Sequence, residues 1–221
     1  MSVNQIENVE ERVQRVFELR DLNFVQDKEG TIEGYAAVFD KWTNVAGYFE
    51  ERIMKGAFTK TSLEDVAFLV NHDMTKVPLA RSRNNNKNST LYLEADEKGL
   101  KFKAVLDIQG NSEARNLYSA LKRGDIDGMS FGFLISKVRW DDVASDLPKR
   151  SIVEFSKVFE ISAVNMPQYK DTEIYARQNS ESLESDKKAL ENVRSQLLDN
   201  NKNFELEKQK ALFFMQKKNK K

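Results

Sequence analysis

The spacing of hydrophobic and polar residues divides the chain into two parts with different periods. From about residue 13 to residue 177, short runs rich in β-branched and aromatic residues alternate between apolar and polar positions, and turn residues separate the runs. This pattern is typical of strands in antiparallel sheets. The predicted strands are, in chain order, RVFEL, TIEGYAAVF, VAFLVNH, TLYLEA, LKFKAVL, GMSFGFLISKVRW, RSIVEFSKV and FEISAV.

Helical signals interrupt this strand pattern at two places. In GNSEARNLYSALKRG, Asn111 or Ser112 is suited to cap a helix, Leu117 and Leu121 fall on one helical face, and Gly124 is suited to end the helix. The segment GAFTKTSLED carries a weaker helical signal, and ARSRNNNKNST has the composition of a polar loop. The sequence therefore predicts an α+β domain that is mainly antiparallel β.

The last part of the chain, residues 178 to 221, has a helical pattern. Leu183, Leu190 and Leu197 recur at heptad spacing, and the segment contains neither glycine nor proline. We expect a helical tail that is interrupted near Asn200. The heptads are too few to decide between a coiled coil and an isolated helix that becomes ordered when a partner binds.

The charge balance and the rare residue types narrow the function classes. The chain has 35 basic and 35 acidic residues, so no net charge attracts a nucleic acid or an anionic membrane. It has no cysteine, which excludes thiol chemistry, and its single histidine, His72, excludes zinc sites built from several imidazoles. No cofactor is indicated, although a magnesium or calcium site made only of carboxylates stays open. A polar N-terminus and the lack of about 18 consecutive apolar residues favour a soluble, unsecreted protein.

The predicted strand GMSFGFLIS contains one hydroxyl between two glycines. Alternation places Ser130 on one face with Gly128 and Gly132, and large apolar residues such as Phe131 on the other face, which we expect to be core. The glycines leave room for another polypeptide backbone beside the hydroxyl, as a peptide-cleaving nucleophile requires. A small serine in a tight sheet contact fits the same pattern. A serine nucleophile also needs a base, and His72 is the only histidine available.

His72 and Glu160 are the candidates for that base and its acid partner. His72 closes the apolar run VAFLVNH, on the alternation face of Phe68 and Val70, where a partly buried structural imidazole would also fit. Glu160 lies on an otherwise apolar strand face, where a carboxylate needs a partner, and that partner is either His72 or an arginine. Weaker candidates for the acid, in turn-like contexts, are Asp73, Asp125 and Asp127.

Five segments, taken in order, resemble the successive motifs of the prohead proteases of tailed bacteriophages. They are GYAAVFD, ERIMKGAFTKTSL, FLVNHDMTKVPLAR, ALKRGDIDGMSFGF and FEISAVNMPQY, and they cover about residues 30 to 175. In this family's motifs, the histidine of HD falls on His72, the serine of G-[ML]-S-x-G-F on Ser130, and the acid that opens E-[IV]-S on Glu160.

The resemblance implies a fold, an activity and a setting. The family is similar in fold to the herpesvirus assemblins, which implies a distorted antiparallel β-barrel with flanking helices. It implies a serine endopeptidase whose catalytic residues are Ser130, His72 and Glu160. The implied substrates are the major capsid protein, the scaffold and the protease itself, cleaved inside the procapsid in the host cytoplasm. A homo-oligomer is compatible with this role, whereas nucleic acid and membrane are not expected as partners.

We expect a flexible N-terminus at residues 1–12, a protease domain at residues 13–177 and a scaffold-interacting helical tail at residues 178–221. A catalytically silent capsid-core or scaffolding protein would keep the fold and use the tail for assembly, but would not need the three candidate residues together. A serine esterase would need its serine on a strand-turn-helix elbow, whereas GMSFG lies within a predicted strand.

Overall fold

The computed structural model describes residues 5–18, 20–24, 29–83, 86–165 and 180–218, which form eleven strands and two helices. The strands are β1 (Gln5–Glu18), β2 (Arg20–Phe24), β3 (Thr31–Val38), β4 (Thr43–Val45), β5 (Phe49–Ile53), β6 (Ala67–Val70), β7 (Ala80–Arg81), β8 (Leu91–Ala95), β9 (Gly99–Val105), β10 (Gly128–Asp141) and β11 (Lys149–Val164). The helices are α1 (Ser112–Arg123) and α2 (Ser180–Lys218).

The strands form two sheets that are mainly antiparallel. The larger sheet has the order β1-β10-β11-β5-β4, and β6 joins it beside the last part of β11, followed by β7. The pairings of β11 with β5 and with β6 are parallel. The smaller sheet has the order β2-β3-β9-β8 and is antiparallel throughout. The predicted α+β, mainly antiparallel class is confirmed, but the described strands do not close into a barrel, so the implied distorted barrel is not confirmed.

The long strands β10 and β11 form the centre of the larger sheet, and alternation decides which side of it is core. The four large apolar residues of β10 that were predicted to share the core face are all almost completely buried: Met129, Phe131, Phe133 and Ile135. The ring of Phe133 packs edge-on against Phe155 of β11, with 4.8 Å between the ring centroids. The predicted strands RSIVEFSKV and FEISAV are one continuous strand, β11.

The stronger of the two helix predictions is confirmed, and the weaker one is wrong. The side chain of Asn111 accepts hydrogen bonds at the N-terminus of α1, and Gly124 ends the helix with a φ of 77°. GAFTKTSLED instead forms a series of turns. Its backbone is bonded to β11, since Phe155 N–H donates to the carbonyl of Ala57 and Ser62 N–H donates to the carbonyl of Ser156. These pairings take backbone groups that a helix would use internally.

The tail is a helix, as predicted, and its first half packs on the larger sheet. The helix α2 continues through Asn200 without the expected interruption. Leu190 and Val193 are 4% and 1% exposed, and Leu197 is half-buried, whereas the side chain of Leu183 lies outside the described residues. At the other end of the chain, β1 begins at Gln5, inside the segment that was expected to be a flexible N-terminus. Neither described helix has an apolar stretch long enough to cross a bilayer.

Candidate active site

The pairing of β10 with β11 places the candidate serine and the candidate acid on one face of the larger sheet. Ser130 lies opposite Ser162, and Gly132 lies opposite Glu160, without a register shift between the two pairs. Residues that face each other across antiparallel strands project to the same side. The hydroxyls and the carboxylate therefore project away from the core face that carries Phe131. Alternation predicted these faces within each strand, but not that the strands pair in this register.

Gly132 provides the space that the Glu160 carboxylate occupies. A Cβ atom built on Gly132 would lie 2.7 Å from Oε1 of Glu160, which is closer than real carbon and oxygen atoms approach. A side chain at this position would displace the carboxylate, which lies directly over the glycine backbone. Glu160 itself is 3% exposed.

His72 reaches this carboxylate because the chain reverses directly after β6. Asn71 and His72 have φ values of 51° and 59°, in the left-handed region, which ends the alternation of the strand at Val70. Asn71 N–H donates to the carbonyl of Ala163, which ties the reversal to β11. The imidazole thus lies over the face of Glu160, and its predicted placement on the Phe68 face is wrong.

The carboxylate of Glu160 is hydrogen-bonded through both oxygens. Nδ1 of His72 lies 2.8 Å from Oε1, and the hydroxyl of Ser162 donates to Oε2 at 2.5 Å. Of the two partners that the sequence left open for this carboxylate, the structure places His72 there. A buried carboxylate next to Nδ1 favours the tautomer with the proton on that nitrogen, which leaves Nε2 as a proton acceptor. Nε2 is buried and has no hydrogen-bond partner among the described residues.

Ser130 lies beside this group but is hydrogen-bonded elsewhere. Its side chain is 0% exposed, and its hydroxyl donates to the backbone carbonyl of Arg15 in β1 at 2.7 Å. The structure thus joins His72, Glu160 and Ser162 by hydrogen bonds and places Ser130 next to Ser162 on the same sheet face. It does not bond the Ser130 hydroxyl to the imidazole.

The three weaker acid candidates lie elsewhere. Asp73 accepts hydrogen bonds from the backbone and hydroxyl of Thr75, and these bonds lower the pKa of the Asp73 carboxyl. Asp125 pairs with Arg123, and Asp127 is exposed. Within the part of the chain that the structure describes, the carboxylate hydrogen-bonded to the imidazole is that of Glu160. Within the described residues, no group of three His, Cys, Asp or Glu side chains is placed to hold a metal ion.

Ser162 is a site residue that the sequence analysis did not single out. The sequence pattern placed Glu160 on an otherwise apolar strand face, yet Ser162 on that face holds one carboxylate oxygen. The signal was available in the spacing E-x-S, because residues two apart on a strand share a face. What the sequence did not show is that the hydroxyl points along the strand towards the acid.

The comparisons with known proteins agree on one protein family. The family of caudovirus prohead serine proteases matches residues 16–188 of this chain. The prohead protease of Enterobacteria phage HK97 is 30% identical over 174 residues, which is 76% of this chain and 70% of that protein. No solved structure matches the chain.

Proposed function

This chain belongs to the caudovirus prohead serine protease family, and we propose that it is a serine endopeptidase in which Ser130 is the nucleophile, His72 the general base and Glu160 the acid that orients the imidazole. The observation that carries the proposal is the 2.8 Å contact between Nδ1 of His72 and Glu160. It leaves a buried, unpartnered Nε2 over the sheet face that bears Ser130. A base held by an acid on one nitrogen, with the other nitrogen available to accept a proton, is the arrangement of the base and acid in a Ser-His-acid protease.

In the proposed mechanism, the Ser130 hydroxyl first changes its hydrogen-bond acceptor. It leaves the carbonyl of Arg15 and donates to Nε2 of His72, a contact of the kind that often tightens only when substrate binds. The serine oxygen then attacks the peptide carbonyl while Nε2 takes the proton. The imidazolium that forms is stabilised by the Glu160 carboxylate, and it gives the proton to the leaving amine. Water hydrolyses the acyl-enzyme by the same proton transfers in reverse order.

The proposed substrates are the capsid and scaffold proteins of the procapsid, and the protease itself. Enclosing an enzyme and its substrates in one shell raises their effective concentration, so a modest intrinsic affinity is sufficient. The family of the chain supports this setting. The proposed tail function, contact with scaffold helices, is compatible with the exposed residues 202–210 of α2.

The experiment that tests the proposal compares Ser130→Ala with the wild-type chain, each expressed together with the capsid protein of the same phage. We expect Ser130→Ala to abolish processing of the capsid protein, because it removes the nucleophile and leaves a small buried side chain in place. The matched control is Ser136→Ala on the same strand, whose hydroxyl bonds to Glu154. Processing with Ser130→Ala at the wild-type rate would refute Ser130 as the nucleophile, whereas the absence of processing with the wild-type chain would favour a silent scaffolding protein.

A further inference from the structure

A cavity of about 410 Å³ lies between the end of β6, the loop that follows it and helix α1. Its volume is within the roughly 300–1,000 Å³ of ordinary small-ligand pockets. The apolar residues that line it are Leu69, Val70, Val77, Leu79, Leu117, Ala120 and Ile126. The three candidate catalytic residues are not part of its lining.

The cavity adjoins the proposed catalytic site. Leu69 is in register with Ser162 across β6 and β11, and Ser162 is in register with Ser130 across β11 and β10. The three side chains therefore form a row on one sheet face, and two strand spacings of about 4.8 Å separate Leu69 from Ser130. Asn71 and Asp73, which flank His72 in the chain, also line the cavity. A peptide bond held between the serine and the imidazole would have a neighbouring side chain within reach of this cavity.

The three charged residues at the cavity rim already have hydrogen-bond partners: two pair with each other, and the third bonds within its own loop. Lys76 donates to Glu113 of α1 at 2.8 Å, and this contact raises the pKa of the Lys76 ammonium. Asp73 is bonded to Thr75, as described above. A charged substrate side chain would therefore lose its hydration in a mainly apolar cavity whose charged groups already have hydrogen-bond partners, which is costly, whereas an apolar side chain would not.

The loop between β6 and β7 adds exposed apolar surface beside the cavity. Met74 and Val77 are 62% and 77% exposed and rank among the most exposed large hydrophobic residues that the structure describes. Single exposed apolar residues are ordinary, but two on one loop at the rim of an apolar cavity extend its apolar surface towards solvent. A polypeptide substrate is suited to cover them.

From this arrangement we infer that the cavity is the subsite that binds a large apolar side chain of the substrate next to the scissile bond, and so determines cleavage specificity. The inference rests on the proposed protease function and adds the substrate class to it. It predicts cleavage beside residues such as leucine, methionine or phenylalanine, and poor cleavage beside lysine or glutamate.

The test uses binding and cleavage as separate measurements. For binding, the Ser130→Ala chain is titrated with N-acetylphenylalaninamide and with N-acetyllysinamide, and backbone amide resonances are followed by NMR. We expect the phenylalanine compound alone to shift the resonances of Leu69, Ala120 and Ile126. Adding Ala120→Phe should abolish the shifts because the new ring fills the cavity. Adding Lys122→Phe, at an exposed position of α1 outside the lining, should leave them unchanged.

For cleavage, the wild-type chain digests denatured host proteins, and mass spectrometry identifies the cut sites. We expect large apolar residues to be enriched at one position next to the cut. On matched peptides, Ala120→Phe should lower kcat/KM at least about tenfold for phenylalanine at that position and less than about twofold for alanine. Lys122→Phe should change neither value.

The outcomes distinguish a failure of the proposed specificity cavity from a failure of the proposed protease function. Cleavage that depends on Ser130, without the NMR shifts or with an unchanged preference in Ala120→Phe, would overturn the specificity cavity alone. The NMR shifts without any Ser130-dependent cleavage would overturn the protease function, and with it the role of the cavity as a protease subsite.

Discussion

At the scale of single residues, the position of the Glu160 carboxylate depends on the lack of a side chain at Gly132. The carboxylate lies over the glycine backbone and is held there by His72 on one oxygen and Ser162 on the other. Its buried charge is compensated by these two polar contacts, and the same contacts fix the orientation of the imidazole. A change of one methyl group or one charge at this point therefore affects the proposed base directly.

Gly132→Ala should impair cleavage more than it impairs folding. The new Cβ would collide with Oε1, and the flexible end of Glu160 can move away only by leaving Nδ1 of His72. We expect a fall of at least about tenfold in kcat, because misplacement by about 1 Å is enough to cost that much or more. The matched control is Gly110→Ala, whose Cβ would meet the Asp107 carboxylate at 2.6 Å in an exposed loop. Equal activity of the two variants would contradict the proposed role of the carboxylate.

Glu160→Gln tests whether the negative charge of the acid is needed, or only its size and shape. The amide keeps the size of the carboxylate, but it no longer stabilises the imidazolium and does not fix one tautomer of His72. We expect kcat to fall by about 10⁴-fold, the loss seen when a triad acid becomes an amide. Steady-state kinetics measure the loss, and thermal unfolding checks that the fold is retained. A variant with more than half of the wild-type kcat would exclude Glu160 as the acid.

At the scale of elements, a buried cluster of four charges attaches α2 to the larger sheet. Asp186 of α2 lies 2.9 Å from Nη2 of Arg15 in β1 and 2.6 Å from Nη2 of Arg150 in β11. Glu51 of β5 bonds to the same two arginines. The charges of two arginines and two carboxylates thus neutralise one another in a buried region. Arg15 also provides the carbonyl that accepts the Ser130 hydroxyl, so the cluster holds the strand beside the proposed nucleophile.

Asp186→Ala should destabilise the protein strongly. The substitution leaves Arg15 and Arg150 buried with Glu51 as their remaining partner in the cluster, and removing one member of a buried ion pair commonly costs about 3–5 kcal/mol. Urea unfolding followed by circular dichroism measures the change in the free energy of unfolding. Asp199→Ala is the control on the same helix, because that side chain is 74% exposed, and we expect it to change stability by less than about 0.5 kcal/mol. Similar values for both variants would show that the cluster does not hold the helix.

At the scale of the whole molecule, the helical tail has two halves with different environments. The first half contributes Asp186, Leu190 and Val193 to buried contacts, whereas residues 202–210 are exposed. The first half is therefore part of the folded body, whereas residues 202–210 are not packed on it. Deleting all of residues 178–221 would remove core contacts together with any scaffold-binding surface, so it does not test the surface alone.

Two truncations should distinguish these halves. Removing residues 200–221 should leave the melting temperature within about 2 °C of the full chain, because the described part of that segment makes no buried contacts. Removing residues 178–221 should lower it by several degrees, since a loss of even 1 kcal/mol lowers the melting temperature by about 2–4 °C in a protein of this size. Calorimetry measures both. If the shorter truncation lowers the melting temperature as much as the longer one, the division of the tail is wrong.

Local patterns were sufficient for the parts of the fold whose interactions are local. Alternation identified the core face of β10, because side chains of a strand point to alternate sides whatever the strand pairs with. The caps of α1 were visible because Asn111 and Gly124 act on backbone groups within a few residues. The segment GAFTKTSLED was predicted to be helical from its local pattern, but its backbone is bonded to a strand more than 90 residues away. Local sequence does not reveal such a distant pairing.

The sequence by itself determined which residues are available for chemistry: one histidine, no cysteine, a serine between glycines and a carboxylate on an apolar strand. Only the tertiary structure decided how they meet. The two left-handed residues after β6 turn His72 onto the face of Glu160, and the register of β10 and β11 places Gly132 under the carboxylate. The physical reason is that register and chain reversal depend on contacts summed over distant strands, whereas local sequence specifies only the alternation within each strand.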